Sequence, residues 1–363
     1  MSLLSIATIQ LDGAVADNLD LFEREIRSIS TRFPWVMMAA VGELAIHGAS
    51  LDKAEVAGGP TERRLQALAK ETGLWLIPGS LYERRDGKIY NTTPVIDPQG
   101  EIIARYDKLF PFLPYEKGVE SGTDYVVFEV PGIGQVGVAI CYDMWFPEAI
   151  RTMCAMGAEV IILPTMTNTV DRDVELAIAR ANAAINQCYF VDINVAGQQG
   201  NGRSVVYGPG GELLHEAGAG REIMAFELDL QQVRRLRERG WNGLGQVLKS
   251  FRDAPVSFPL HVDPAARQSG MSGLGQLTMP DRQDDRLAVD DMGEVRTRKP
   301  RAGAMSSRSR RRGAKRAFPT FPTIFPLSVG QRSSAAISSM KPNSCAPSRA
   351  LPWLIAAPAI RAR

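Results

Sequence analysis

The sequence is poor in the residues that build metal centres and covalent scaffolds. Among 363 residues there are four cysteines, at 141, 154, 188 and 345, and three histidines, His47, His215 and His261. No Cys-x-x-Cys pair occurs, and the histidines are too scattered to supply ligand spacing, so neither a zinc site nor a disulfide framework is expected. No metal and no cofactor enter the reading. Long apolar runs are missing too: no uncharged stretch approaches the roughly 18 residues that cross a bilayer. The N-terminus, MSLLSIATIQLDGAVADN, lacks a charged leader and reads as a first strand rather than a secretion signal. A reducing cytoplasm is the expected compartment.

One region lacks acids altogether. Residues 295–363 hold 15 Lys or Arg and no Asp or Glu, whereas residues 1–294 carry the other 27 basic residues and all 40 acids, a net charge of −13. The overall charge of +2 therefore conceals an acidic body and a basic tail. Of residues 296–316, ten of 21 are Lys or Arg, and the remainder of the tail is rich in Ser, Ala and Pro. That composition cannot close a core, so the tail is expected to be disordered. Arginines of a nucleic-acid surface are commonly interleaved with stacking aromatics, and these are not, which argues against a nucleic-acid partner. Residues 259–294 form a polar extension rich in Pro, Gly and Asp.

The body, residues 1–258, alternates two periodicities. Strands are expected at 3–10, 35–41, 74–77, 81–84, 90–96, 102–106, 126–130, 135–140, 160–163, 189–195, 204–207, 213–215 and 222–228. Helices are expected at 18–32, 61–72, 147–156, 174–186 and 230–239. In the first helix Leu19, Phe22, Ile26 and Ile29 share one face, and Gly73 closes the second. Asp97-Pro98-Gln99-Gly100 is a hairpin turn. Strands alternating with helices indicate α/β, and the hairpins among them indicate mixed sheets.

Three residues stand at the carboxyl ends of expected strands, where α/β sites form. Cys141 ends the strand 135–140 just before a helix. The converging N–H groups of such a turn would stabilise a thiolate and a nearby oxyanion, so a nucleophile and a buried structural thiol are both open readings. Glu43 follows 35–41 as a paired buried acid or a solvated strand end. Lys108 and Glu116 bracket an unusually apolar loop, Leu109-Phe-Pro-Phe-Leu-Pro-Tyr115, which points to a pocket wall.

Taken together, Gly42-Glu43-Leu44-Ala45, Tyr106-Asp107-Lys108 and Cys141-Tyr-Asp-Met-Trp-Phe-Pro-Glu148, in that order, resemble the nitrilase superfamily of carbon–nitrogen hydrolases. Asn91-Thr92, Leu163-Pro164-Thr165, Arg180-Ala181-Asn182 and Asn186-Gln187-Cys188-Tyr189 extend the resemblance over about residues 3–258. Family members usually carry Pro where Gly42 stands. The resemblance implies a four-layer α-β-β-α sandwich, a homo-oligomer and a triad of Glu43, Lys108 and Cys141. Glu43 would act as base, Cys141 as nucleophile, and Lys108 with the Tyr142 N–H as the oxyanion site.

Nitrilases proper resemble one another in having Trp-Glu after the nucleophile. Here Tyr142-Asp143 follow, and Glu116 lies eight residues after Lys108, as in the aliphatic amidase and formamidase branch. The expected substrate is therefore a small-molecule amide, with Phe112, Tyr115, Tyr142, Trp145 and Met166 lining its site. Nitrile or N-carbamoyl substrates, or a silent scaffold on the same fold, are the competing readings. Arg172 is a candidate carboxylate clamp, and His47 is expected to be a hydrogen-bonded structural residue.

Overall fold

The computed structural model describes residues 2–258, 265, 271–279, 288–289 and 295–296. Most of the polar extension, and the basic tail beyond Arg296, lie outside the described residues.

Chain order sets out two mixed sheets. In the first half run β1 (Leu3–Gln10), α1 (Leu19–Arg32), β2 (Met38–Val41), α2 (Pro60–Thr72), β3 (Trp75–Ile77), β4 (Leu81–Arg85), β5 (Lys88–Ile96) and β6 (Ile102–Asp107). The second half holds β7 (Val126–Val130), β8 (Gly134–Val138), α3 (Pro147–Ala155), β9 (Val160–Thr165), α4 (Arg172–Asn186), β10 (Tyr189–Asn194), β11 (Val205–Tyr207) and β12 (Leu213–Glu216). Then β13 (Glu222–Asp229) returns to the first sheet as the antiparallel neighbour of β1 along its whole length. It is followed by α5 (Leu230–Arg239) and the short α6 (Val247–Asp253).

The first sheet runs β13-β1-β2-β3-β5-β4, with β6 pairing β5; the second runs β7-β8-β9-β10-β11-β12. Each has a parallel centre, β1-β2-β3 and β8-β9-β10, flanked by antiparallel strands. Side-chain alternation explains how they stack. Leu4 and Ile6 of β1, with Met38 and Ala40 of β2, share one core with the second sheet's Val136, Val138 and Ile162. The intervening Ala7, Ile9, Ala39 and Val41 pack instead on α1 and α2. On the far side Ile150, Met153, Ala179 and Ala183 of α3 and α4 cover the second sheet. Four layers, α-β-β-α, follow from strands apolar on both faces.

The helices obey their local signals. Leu19, Phe22, Ile26 and Ile29 are the buried residues of α1, and α2 starts on Pro60 and ends on Gly73 at φ +67°. Two expectations need correction. The strand expected over 35–41 starts only at Met38, because Pro34 and the Phe33 N–H, bonded to Ile29 O, turn the chain and leave Trp35 exposed. Second, α6 was not expected; its Phe251 takes the Arg151 guanidinium over its ring.

Candidate active site

Both sheets deliver their carboxyl ends to one place. Glu43 follows β2, Lys108 follows β6, Cys141 follows β8 and Met166 follows β9. The Glu43 N–H donates to Thr165 O at 3.2 Å, tying the two sheets together at this point. Close backbone approach explains Gly42: a Cβ there would lie 2.7 Å from Val195 Cγ1 and 3.0 Å from two carbonyl oxygens. Gly79, at φ +82°, passes still closer to the Gly42 carbonyl.

Lys108 is 1 % exposed. Its Nζ donates to Glu43 Oε1 at 2.8 Å and to Glu116 Oε2 at 2.7 Å. The other Glu43 oxygen accepts the Met166 N–H at 3.0 Å. Asn91, on β5, donates through Nδ2 to Glu43 Oε1 at 2.8 Å and to Glu116 Oε1 at 3.0 Å. Glu116 Oε2 also accepts the Phe112 N–H at 2.6 Å, so the aromatic loop closes on its own acid.

Ionisation follows from this arrangement. Burial opposes the Lys108 ammonium, but the Glu43 and Glu116 carboxylates outweigh it and hold the group charged, its pKa well above the usual range. Two carboxylates share that cation, and they diverge. Burial raises Glu43 despite the lysine, whereas burial at Glu116 is overcome by Lys108 and by hydrogen bonds from Phe112 and Asn91, which lower it. Burial also pushes the Cys141 thiol well up, Glu43 adding and Lys108 opposing. The resting nucleophile is thus a buried thiol beside Glu43, which suits attack assisted by a base.

Cys141 stands at φ +46° and opens a 3₁₀ turn over Cys141–Trp145. A non-glycine residue in the left-handed region is strained, and neighbouring contacts must hold it there. Asp143, fully buried, is the clamp: Oδ2 accepts Ile140 N–H at 3.0 Å and Tyr106 O–H at 2.7 Å, and Oδ1 accepts Phe110 N–H at 2.9 Å. It thereby joins the cysteine turn to the strand carrying Lys108. Burial raises its pKa to about 6, against the pull of the Tyr106 hydroxyl.

Around Cys141 runs a row of rings. Phe112 stacks on Tyr115 at 4.9 Å and reaches Tyr142 at the same distance; Tyr142 continues to Trp145 at 6.1 Å and Phe146 at 5.2 Å. Phe110 stacks on Phe146. Phe112, Tyr115, Tyr142 and Trp145 are therefore contiguous, while Met166 meets the site through its backbone N–H and packs its side chain beside Leu44, Tyr82 and Val119.

Sequence reading missed Asn91, Asp143, Phe110 and Phe146 as site residues, although an asparagine in the middle of a strand was a usable signal. Arg172 requires correction as a clamp. It is 2 % exposed and committed to Asp192 at 2.8 Å, Glu175 at 3.1 Å and Arg203 O at 2.7 Å. His47 pairs with Thr61 Oγ1 at 2.9 Å. Among the described residues no cluster of three His, Cys, Asp or Glu side chains has metal-binding geometry, and no helix is long and apolar enough to cross a membrane.

Known proteins share this sequence pattern and fold. The 2-oxoglutaramate amidase of Bacillus subtilis is 29% identical over 244 residues, covering 64% of this chain and 94% of the relative. Nit3 of Saccharomyces cerevisiae, a nitrilase-superfamily member, superposes with a TM-score of 0.60 at 27% identity, over 65% of this chain and 94% of that one. A cysteine mutant of the amidase from Nesterenkonia sp. AN1, solved with butyramide, gives 0.58 at 26% identity, over 65% and 95%. Residues 5–238 match the carbon-nitrogen hydrolase family model, and the chain belongs to that family as an amidase-type enzyme.

Proposed function

We propose that the protein hydrolyses small, uncharged amides to a carboxylic acid and ammonia or an amine, through a thioester on Cys141. The observation that carries this reading is one buried ammonium, Lys108, held between the Glu43 and Glu116 carboxylates beside a buried thiol. Glu43, its pKa raised by burial, takes the Sγ proton as sulfur attacks the carbonyl carbon. The carbonyl electrons move to oxygen, and Lys108 Nζ and the Tyr142 N–H donate hydrogen bonds to the oxyanion; an N–H in the first turn of a helix has no intrahelical partner. Collapse breaks the C–N bond, Glu43 returns its proton to the leaving nitrogen, and Glu116 orients the substrate amide. Water, deprotonated by Glu43, then cleaves the thioester and restores the thiol.

The ring row Phe112, Tyr115, Tyr142 and Trp145 supports an uncharged acyl group, and the commitment of Arg172 to Asp192 and Glu175 withdraws the one clamp considered for a carboxylate. Residues 1–258 would be the catalytic unit, acting in the cytoplasm as a homo-oligomer. Exposed Leu244, Val247 and Phe251 are apolar surface that assembly would cover, which size-exclusion chromatography tests. For the chemistry, ammonia release is compared across formamide, short aliphatic amides, carbamoyl amino acids, 2-oxoglutaramate and nitriles. Release from neutral amides that Cys141→Ala abolishes is the expected outcome; turnover of nitriles alone would overturn the amide reading.

A further inference from the structure

Asn91 touches all three charged members of the site. It is fully buried in β5, its Nδ2 donates to Glu43 Oε1 at 2.8 Å and Glu116 Oε1 at 3.0 Å, and its backbone carbonyl accepts the Lys108 N–H at 2.9 Å. An amide NH2 carries two protons, and these two bonds use both. Charge fixes the orientation: turned over, the amide would aim Oδ1 at two carboxylates. The Oδ1 so displaced is buried without a hydrogen-bond partner. A strand gains nothing from such a residue, since asparagine is disfavoured there and an orphaned buried acceptor is a cost. The gain must lie where Nδ2 points.

Two carboxylates around one ammonium leave a net negative charge in a buried place. Glu43 is faced by Lys108, Glu116, Tyr82 and Cys141, and by the Met166 N–H. Lys108 and Asn91 both occupy Oε1, so Oε2 is the oxygen left with a single backbone donor. We propose that Asn91 is a positioning residue for proton transfer: it fixes Glu43 through Oε1, so that Oε2 takes the Cys141 proton, and holds Glu116 apart from Glu43 across Lys108. This rests on the roles given above to Glu43 and Cys141.

The test uses the full chain and iodoacetamide, with the rate of Cys141 alkylation followed from pH 5 to 10 and the labelled peptide identified by mass spectrometry. Asn91→Leu removes both donors at similar size; Asn91→Asp keeps the shape but adds a third carboxylate. Both are expected to slow alkylation at pH 7 by about ten- to a hundredfold, the worth of one hydrogen bond to a charged group. Both should also move the midpoint of the pH dependence upward, Asp further than Leu. Variants with wild-type circular dichroism, rate and midpoint would overturn the proposal, and so would a lowered melting temperature with an unmoved midpoint. Where leucine disrupts folding, the isosteric Asp variant decides. Glu43→Gln separates the two layers of inference. If it alkylates as fast as wild type, the base assignment itself fails; if it is slow while the Asn91 variants alkylate at the wild-type rate, the Asn91 role alone fails.

Discussion

Removing the Lys108 ammonium should damage stability and catalysis by separable amounts. Lys108→Met keeps the stem and deletes one charge that bridges Glu43 at 2.8 Å and Glu116 at 2.7 Å, all of it buried. Breaking a buried pair by removing one partner costs about 3–5 kcal/mol, because the partner's charge remains uncompensated. For a body of this size that corresponds to roughly 6–20 °C in melting temperature. The loss should depend on pH. Without the ammonium, burial and mutual repulsion raise both carboxylates above their unfolded values. Their protonated forms are then favoured by folding, so the variant is relatively most stable at low pH and weakens as pH rises through the raised values. Urea unfolding of both proteins at pH 5, 7 and 8 should show the gap widening with pH. Turnover should fall about 10²- to 10³-fold, the cost of one oxyanion donor. A gap that stays constant from pH 5 to 8 would refute the shared-cation reasoning.

Other perturbations test neighbouring parts of the structure. Arg172→Met should cost about 3–5 kcal/mol of stability, measured by urea titration, by stranding Glu175 and Asp192. The ratio of KM for carboxylate-bearing to neutral amides should not change, as it would were Arg172 a clamp. Gly42→Ala should destabilise by about 1–3 kcal/mol through overpacking against Val195 and the Thr165 carbonyl, read as a lowered melting temperature. Deleting residues 296–363 should leave ammonia release unchanged; a truncated protein that folds without turnover would assign those residues a role.

How much of this was legible follows from what each residue depends on. The faces of α1, the parallel strands and the cap at Gly73 are set by local periodicity and turn chemistry, which sequence carries directly. Glu43, Lys108 and Cys141 were legible because each ends a strand within a recognisable string. Asn91 and Asp143 were not read as site residues, because their partners lie 25 to 48 and up to 37 positions away, brought to Asn91 by the strand order of the first sheet and to Asp143 by the stacking of the two sheets. What pushes the Cys141 thiol up, burial and the Glu43 charge, is likewise tertiary and stands in no local string. Arg172 looked available as a cation until Asp192, twenty residues on, was placed against it.

The most direct test of the proposed chemistry is to mix the enzyme with a slowly turned-over neutral amide such as butyramide, quench in acid and weigh the intact protein. A thioester on Cys141 predicts an added butyryl mass, located to the peptide containing Cys141, removed by hydroxylamine and missing in Cys141→Ala. Undiminished ammonia release by Cys141→Ala, with no adduct on the wild type, would contradict a cysteine thioester and move the chemistry away from this residue.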